Sequence, residues 1–202
     1  MLYVLDLGAN DGCSIRKLKS EYLQNVSDYQ LLSFEPHPFF FEKLEREKTG
    51  NIHVYPKAIS TCNTTVKFFY SKKCDGSSLN SCKTTNGIEK SKYFEVETID
   101  ICDVIKNLNL KYSDKLWIKM DIEGEEYEII PHLEQHNMIQ HIDVLFIEWH
   151  YGKLSNITKE QHESCVKKVK DIHVQSWDAL NYTNINRLDS EYKAFMQNLL
   201  IR

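Results

Sequence analysis

The sequence predicts an α/β fold built on a mostly parallel, doubly wound sheet. Short apolar runs alternate with amphipathic helical segments along most of the chain, a pattern typical of parallel sheets covered by helices on both faces. Several of these runs stop abruptly at an acidic residue. The 202 residues are 42% hydrophobic, which is enough for one sizeable core. We therefore expect a single domain over residues 1–202.

Composition argues against several classes of protein. The net charge of −4 and the lack of a long basic run argue against a nucleic-acid binder. We expect no membrane span, and the N-terminus lacks the layout of a signal peptide. The six cysteines form no CxxC pair, so free thiols in a reducing, cytoplasmic compartment are expected. Because the first strand starts almost at residue 1, a minimal domain excised from a longer chain is an alternative.

The first strand, 2–7, is followed by a glycine turn at 8–12 and a helix over 14–23. Glycines between a strand and a helix let backbone approach a nucleoside or phosphate, although they serve packing alone in many proteins. The turn has neither the GxGxxG spacing of a dinucleotide site nor the Lys-Ser/Thr of a P-loop. Asn10 tolerates a left-handed backbone and offers an amide to a ligand.

The next elements repeat the alternation of strand and helix. A second strand, 30–34, ends sharply at Glu35-Pro36 because the residue before a proline avoids helical backbone. A helix over 39–47 presents phenylalanines on one face, and a third strand covers 52–55. Ala58 and Ile59 come next, where an adenine ring would need an apolar wall.

The middle of the chain is less regular. Strands are expected at 65–70 and 93–98, and the segment between them, 71–92, is rich in Ser, Lys and Asn. A loop of that length in a compact domain is either functional, as a lid over a pocket, or a solvated insertion. The sequence leaves both readings open.

Regular alternation returns after residue 98. We predict a helix over 99–108 opened by Asp100, strands at 116–120 and 144–147, and helices at 125–133, 158–169 and 190–200. Weaker strands at 172–175 and 180–185 suggest a closing hairpin.

Four acids stand at the ends of four predicted strands: Asp6, Glu35, Asp121 and Glu148. Ligands of open parallel sheets bind beyond the carboxyl ends of the strands, so these side chains are expected to meet. Glu35 is placed to accept hydrogen bonds from a ribose diol, as an acid after the second strand does in nucleotide-binding sheets. Asp6 is expected either to orient the glycine turn or to receive an amino group of the ligand.

The chemistry is expected around Asp121. Lys119 sits inside an apolar strand and needs a carboxylate partner, which Asp121 or Glu148 would supply. Such groups position a hydroxyl, take its proton or bind a divalent ion. His150 has the pKa range of a general base, although a surface histidine is the simpler reading. His132, His136 and His141 are expected at the surface.

With these residues assembled, the chain resembles the FkbM family of S-adenosylmethionine-dependent methyltransferases. The segments that carry the resemblance are Val4 to Gly12, Ser33 to Pro38, Lys57 to Ser60, Thr98 to Asp100, Ile118 to Glu126 and Phe146 to His150. The I-K-x-D-x-E-G-x-E string at 118–126 is the most specific of them, and residues 151–202 match only loosely.

The resemblance implies a class I methyltransferase fold, with seven strands and the last one antiparallel. It implies methyl transfer to an oxygen, commonly a hydroxyl of a sugar, glycan or polyketide-like product. Carried over by position, the turn residues Gly8, Ala9, Asn10 and Gly12 meet the methionine part of the cofactor and Glu35 its ribose. Lys119, Asp121 and Glu123 then lie beside the transferring methyl.

Within that reading, Asp121 or His150 is the expected base, with Lys119 and Glu148 orienting it. The metal requirement is left open. The alternatives are an O-methyltransferase of a non-sugar small molecule and a cofactor-binding module without turnover. A nicotinamide oxidoreductase is the least favoured, because the GxGxxG spacing is absent.

Overall fold

A computed structural model describes residues 1–74, 76–85, 87–88 and 90–200 of the chain. The strands, in chain order, are β1 (Leu2–Leu7), β2 (Tyr29–Phe34), β3 (Ile52–Tyr55), β4 (Ala58–Ser60), β5 (Thr65–Phe69), β6 (Tyr93–Asp100), β7 (Lys115–Met120), β8 (Val144–Ile147) and β9 (His173–Ser176). The helices are α1 (Cys13–Lys17), α2 (Pro38–Leu44), α3 (Ile101–Asn107), α4 (Glu126–Gln135), α5 (Lys159–Lys168) and α6 (Ile185–Leu200). The α/β class predicted from the alternation is confirmed.

The central sheet has six strands in the order β3-β2-β1-β7-β8-β9, and every pairing in it is parallel. The chain builds outward from β1 to β3 on one side and from β7 to β9 on the other. The strand order therefore reverses between β1 and β7, and at such a switch point a crevice opens beyond the carboxyl ends of the strands. A second sheet, β4-β6-β5, lies outside the central one.

Both faces of the central sheet are buried, as parallel sheets require. Successive residues of β1 point to opposite sides, so Leu5 packs in one core cluster with Ile118 and Ile130. Val4 packs in the other with Ile15 and Leu31. The two apolar cores fix the strand ends in register, with Asp6 opposite Ser33 on one side and Lys119 on the other.

Side-chain caps fix the starts of two helices, and the one expected at Asp100 is confirmed. Asp100 caps α3 by accepting a hydrogen bond from the Cys102 amide. Thr158 and Gln161 form a reciprocal capping box at α5. Helix α1 continues beyond Lys17 as one π-helical turn, Leu18–Tyr22, so the predicted end near residue 23 is right although its geometry is not α-helical throughout.

Two expectations about the last strands are wrong. The central sheet has six strands rather than seven, and the last of them, β9, runs parallel to β8 rather than antiparallel. The crossover through α5 returns the chain in the direction of β8, which produces a parallel neighbour.

The predicted strand at 180–185 is also absent. Leu180–Tyr182 is a 3₁₀ turn and α6 begins at Ile185. This segment docks on α1 and the glycine turn: Arg16 Nε donates to the Tyr182 carbonyl at 2.9 Å, and the Thr183 hydroxyl donates to Asp11 at 2.8 Å. These side-chain bonds replace the hairpin that the apolar pattern suggested.

Three further expectations concern the cysteines, a membrane span and the exposure of His132. Among the described residues, Cys13, Cys62, Cys82, Cys102 and Cys165 are free thiols. Within the described ranges, no helix is long and apolar enough to cross a membrane. His132 is not a simple surface residue, because its Nε2 lies 2.9 Å from Asp100 Oδ1 and only 14% of its side chain is exposed.

Candidate functional site

A cavity of about 520 Å³ opens at the carboxyl ends of β1, β2, β7 and β8. Predicted cofactor contacts that line it are Gly8, Asn10, Glu35, Ala58 and Ile59. Predicted catalytic residues that line it are Lys119, Asp121, Glu123 and Glu148. The volume is in the range of small-molecule sites, and the switch point of the sheet explains its position.

The glycine turn forms one wall of this cavity. Asn10 adopts a φ of 50°, the left-handed conformation expected for it. Gly8, with a φ of 79°, has no room for a side chain, because an added Cβ would stand 2.0 Å from the carbonyl oxygen of Asp121. The turn and the Asp121 strand end are thus packed directly against each other. Ala9 and Gly12 are not among the residues that line the cavity.

Asp6 supports the turn from beneath rather than lining the cavity. Its side chain is fully buried, and its Oδ2 accepts hydrogen bonds from the hydroxyls of Ser14 at 2.6 Å and Ser33 at 3.1 Å. Its Oδ1 lies 3.3 Å from Lys119 Nζ, an ion pair outside hydrogen-bond geometry. Asp6 is not among the residues that line the cavity, and both roles expected for it stay predictions.

Glu35 bridges two loops at the edge of the cavity. Its Oε2 accepts from the Asn10 amide at 2.9 Å and its Oε1 from the His37 amide at 2.7 Å. Burial raises the pKa of Glu35 to about 7, against the opposing effect of these two amides. A carboxylate oxygen has a second lone pair, so Glu35 can still accept from a ligand diol.

Lys119 is a buried cation at the centre of the strand ends. Its Nζ donates to the carbonyl oxygens of Gly8 at 2.6 Å and Leu7 at 3.2 Å. Burial disfavours the charge, but the carboxylates of Asp6 and Asp121 outweigh burial and raise the Lys119 pKa. The nearer partner is Asp6 at 3.3 Å, with Asp121 at 3.9 Å. Glu148, the other predicted partner, bonds to Lys153 instead, at 2.6 Å.

A tight turn after β7 presents the acids of the site. Asp121 lines the cavity, and burial together with Glu123 and Glu148 raises its pKa to about 6 although Lys119 acts in the opposite direction. Glu123 has a φ of 58°, which is uncommon for a residue with a side chain and occurs often at functional sites. Burial opposes its charge, but the neighbouring His150 and Lys83 hold its pKa at about 2.

His150 lies behind these acids and is not among the residues that line the cavity. Only 1% of its side chain is exposed, and its Nδ1 lies 3.0 Å from Glu126 Oε1. Its Nε2 faces Glu123 Oε2 at 3.1 Å, and Asp121 and Glu148 at 3.7 Å each. Burial works against protonation, but Glu123 and Glu126 raise the His150 pKa to about 10. The surface reading of His150 is wrong.

Glu126 has a role that the sequence pattern did not indicate. It is fully buried, and it accepts from the Ile122 amide at 3.0 Å and the Gly124 amide at 2.9 Å as well as facing His150. Glu126 therefore shapes the turn that carries Asp121 and Glu123. A carboxylate two residues after the glycine of this turn was the sequence feature that could have indicated this role.

The segment 71–92 supplies residues that sequence reasoning did not identify. Lys83 is buried; its Nζ pairs with Glu123 and donates to the Gly76 carbonyl at 2.8 Å. Ser78 Oγ donates to the Glu123 carbonyl at 2.7 Å, and Leu79 lines the cavity. These described residues are therefore not simply a solvated insertion, and the role as a lid stays a prediction.

The C-terminal part also reaches the cavity. Trp177, Ala179, Leu180 and Thr183 line it, and Lys119 Nζ lies 5.9 Å from the centroid of the Trp177 ring. His37 and Phe40, from the start of α2, complete the wall beside Glu35. Nothing in the spacing of these residues marked them, because they approach the site only through the packing of α2 and the segment after β9.

The arrangement offers two chemically distinct ends. One end has the glycine turn, a carboxylate for a diol and the apolar Ala58 and Ile59. The other has Asp121 and Glu148 with their lysines, which suit a polar group that loses a proton. Among the described residues, two groups of three have ligand atoms close enough to hold a metal ion: Asp121, Glu123 and His150, and Asp100, Cys102 and His132.

Comparisons with known proteins agree with the motifs. The family model described as the methyltransferase FkbM domain matches residues 6–179. A crystal structure of methyltransferase FkbM from Methylobacillus flagellatus KT is similar at 16% identity and a TM-score of 0.42, covering 69% of this chain and 30% of that chain. The chain thus spans less than a third of that structure's length. No curated protein matches it.

Proposed function

The chain belongs to the FkbM methyltransferase domain family, and from that membership we propose that it is an S-adenosylmethionine-dependent O-methyltransferase whose acceptor is a hydroxyl of a sugar or glycan. The observation that carries the proposal is the single cavity that joins the glycine turn and Glu35 to the acids at the end of β7 and β8. A donor site and a proton-accepting site in one cavity are what methyl transfer to a hydroxyl needs.

The donor end has residues that fit S-adenosylmethionine. Glu35 offers carboxylate oxygens to the ribose diol, and Ala58 and Ile59 offer an apolar wall to the adenine. Asn10 offers its amide to the methionine part, while Gly8, Ala9 and Gly12 give the turn its shape. When bound, this cofactor supplies a methyl group on a sulfonium, which is electrophilic without further activation.

At the acceptor end, Asp121 is proposed as the base. An O–CH₃ bond forms while the S–CH₃ bond breaks, the sulfur keeps the electron pair, and the hydroxyl proton passes to the Asp121 carboxylate. The pKa of about 6 keeps this carboxylate ionised at neutral pH yet basic enough to accept a proton. Lys119, Glu123 and Glu148 orient Asp121, and His150, held by Glu126, is a positioning residue.

A sugar is favoured by the polar lining of the acceptor end. Asp121, Glu123, Glu148 and Lys153 all line the cavity and offer acceptors and donors to several hydroxyls. The apolar side chains Phe40, Phe68 and Leu79 on another part of the wall favour the second candidate, a non-sugar small molecule of polyketide type.

The decisive test of the base separates binding from turnover. We expect Asp121→Asn to lower methyl transfer at least 100-fold while calorimetry shows S-adenosylmethionine binding within a few-fold of the unaltered chain. Glu128→Gln, at an exposed acid of the same region, is the matched control and keeps full activity. Full activity in both Asp121→Asn and His150→Ala contradicts the assignment.

The acceptor is tested by release of S-adenosylhomocysteine against a panel of free sugars, oligosaccharides and polyketide-like phenols and alcohols. Turnover with the sugars supports the first candidate, and turnover with the phenols or alcohols alone supports the second. Tight S-adenosylmethionine binding without turnover on any acceptor supports a binding module. Binding of NAD in place of S-adenosylmethionine contradicts the family-based reading.

A further inference from the structure

His150 has an unusual environment for a buried imidazole. Its Nδ1 is held by Glu126 at 3.0 Å, while its Nε2 is buried and has no hydrogen-bond partner within the part of the chain that the structure describes. Three carboxylate oxygens nevertheless surround Nε2, at 3.1 Å from Glu123 and 3.7 Å from Asp121 and Glu148. Nε2 thus faces three carboxylate oxygens, and its contact with the nearest of them, Glu123 Oε2, is an ion pair outside hydrogen-bond geometry.

These distances are close to those between neighbouring ligand atoms around a bound metal ion. Two ligand atoms that are each about 2.1 Å from an ion, at 90–120° to one another, lie roughly 3.0–3.6 Å apart. The distances from Nε2 to Glu123 and Asp121 are 3.1 and 3.7 Å, and the ligand atoms of Asp121, Glu123 and His150 all lie within 4.8 Å of one another. Two of the three distances are therefore close to those around a bound ion, and the third is within 4.8 Å.

The orientation of the imidazole has the form common at metal sites. Histidine ligands of metals usually donate their other ring N–H to a carboxylate, which fixes the tautomer and directs the free nitrogen at the ion. Glu126 holds Nδ1 in that way, and it is itself fixed by the amides of Ile122 and Gly124.

The charges around the cluster leave room for a divalent cation. Lys119 is engaged with Asp6. The four carboxylates of Asp121, Glu123, Glu126 and Glu148 then face two lysines, Lys83 at Glu123 and Lys153 at Glu148. Because the pKa of His150 is raised, an ion that binds Nε2 first displaces a proton from the imidazole. Two negative charges then remain, which is the charge that one divalent ion balances.

We propose that Asp121 Oδ1, Glu123 Oε2 and His150 Nε2 form a binding site for one divalent first-row transition ion such as Mn²⁺. Mixed imidazole and carboxylate ligands favour such an ion over Ca²⁺, which prefers oxygen ligands alone. The site lies at the acceptor end of the cavity, where the charge of an ion would lower the pKa of a nearby hydroxyl. That catalytic use rests on the proposed function, whereas the binding itself does not.

The experiment titrates the chelator-treated full chain with Mn²⁺ alone and counts free ion by electron paramagnetic resonance. We expect one Mn²⁺ bound per chain. His150→Gln and Glu123→Gln should each weaken binding at least ten-fold, and Glu126→Gln by about 10- to 100-fold through loss of the orienting carboxylate. Circular dichroism and S-adenosylmethionine affinity of each variant, measured beside it, identify any variant that fails to fold.

The matched control is His132→Gln, which removes the imidazole of the other three-residue group. It should leave Mn²⁺ binding unchanged. No saturable binding by the unaltered chain at millimolar Mn²⁺, binding that His132→Gln abolishes, or undiminished binding in a folded His150→Gln or Glu123→Gln each overturns the proposal. Methyl transfer that persists without bound ion refutes the ion's catalytic use and leaves the proposed function intact, so the two failures are distinguishable.

Discussion

The pKa of Glu35 links the donor site to pH. A buried carboxyl with a pKa near 7 is half protonated at neutral pH, and a protonated carboxyl is a poorer acceptor for a ribose diol. Below pH 7 the ionised fraction falls about ten-fold per pH unit. Through Glu35, the affinity of the chain for S-adenosylmethionine should therefore change with pH around pH 7, where few carboxyl groups titrate.

We predict that S-adenosylmethionine affinity rises about ten-fold from pH 6 to pH 8, measured by calorimetry. Glu35→Gln should bind more weakly and show a flat profile over the same range. An equally steep profile in Glu35→Gln would place the titrating group elsewhere.

The same residue affects stability with the opposite slope. Because the folded pKa of Glu35 is raised, the folded chain holds a proton that the unfolded chain loses above about pH 4.5, so stability falls as pH rises from about 4.5 to 7. Across this pH range, Glu35 lowers the free energy of unfolding by about 3 kcal/mol. Denaturant unfolding of the unaltered chain and Glu35→Gln at pH 5 and 7.5 measures it, and the variant should lose this part of the slope.

Gly8 shows that a motif glycine can be required by the protein rather than by a ligand. An alanine there would combine a positive φ with a Cβ 2.0 Å from the Asp121 carbonyl. We predict that Gly8→Ala lowers the free energy of unfolding by about 2–4 kcal/mol, measured in urea. Gly50→Ala, where no atom lies within 4 Å of an added Cβ, is the control and should change little.

At the scale of elements, helix α5 is distant from the cavity but sets the direction of β9. Its start depends on the reciprocal bonds of Thr158 and Gln161. Thr158→Ala should cost about 1 kcal/mol of stability by thermal or urea unfolding while S-adenosylmethionine affinity stays unchanged. A matched loss of affinity would mean that α5 reaches the site through β9. Lys159→Ala, at the exposed next residue, should be neutral in both measurements.

The segment between β5 and β6 is the element that sequence patterns described least. Two isolated antiparallel β-bridges hold its described residues, one between Lys83 and Leu154 and one between Ser78 and Phe69 of β5. The buried ammonium group of Lys83 forms an ion pair with the Glu123 carboxylate. The composition of this segment left a lid and a solvated insertion equally open. A lysine with a carboxylate partner can be buried, and only the fold supplied that partner.

At the scale of the whole molecule, we propose that residues 1–202 act as one domain whose central sheet carries donor and acceptor sites on one edge. Ligand binding to the folded state alone stabilises it by mass action, by about 2.7 kcal/mol at 100 times the dissociation constant. For a chain of this size that corresponds to a rise in Tm of about 5–10 °C.

We therefore expect differential scanning fluorimetry to show that rise with S-adenosylmethionine and none with NAD. Glu35→Ala should abolish most of the shift, whereas Asp121→Asn should keep it. A shift with NAD of equal size would contradict a site built for a methyl donor.

By itself, the sequence determined the class of fold, most of the strands and helices, and which acids stand at strand ends; it missed β4 and predicted a strand at 180–185 that is absent. These properties are local: the period of apolar residues, capping residues and glycines act within a few positions of one another. Glu35, Asp121 and Lys119, which the same local patterns singled out, line the cavity.

The tertiary structure alone decided the rest. It paired Lys119 with Asp6 rather than Glu148, buried His150 against Glu126, and brought Lys83 and Trp177 to the site from distant segments. It also made β9 parallel and left the sheet at six strands. Such pairings depend on which buried charges and strand edges meet after the helices pack, and no short-range pattern in the chain records that outcome.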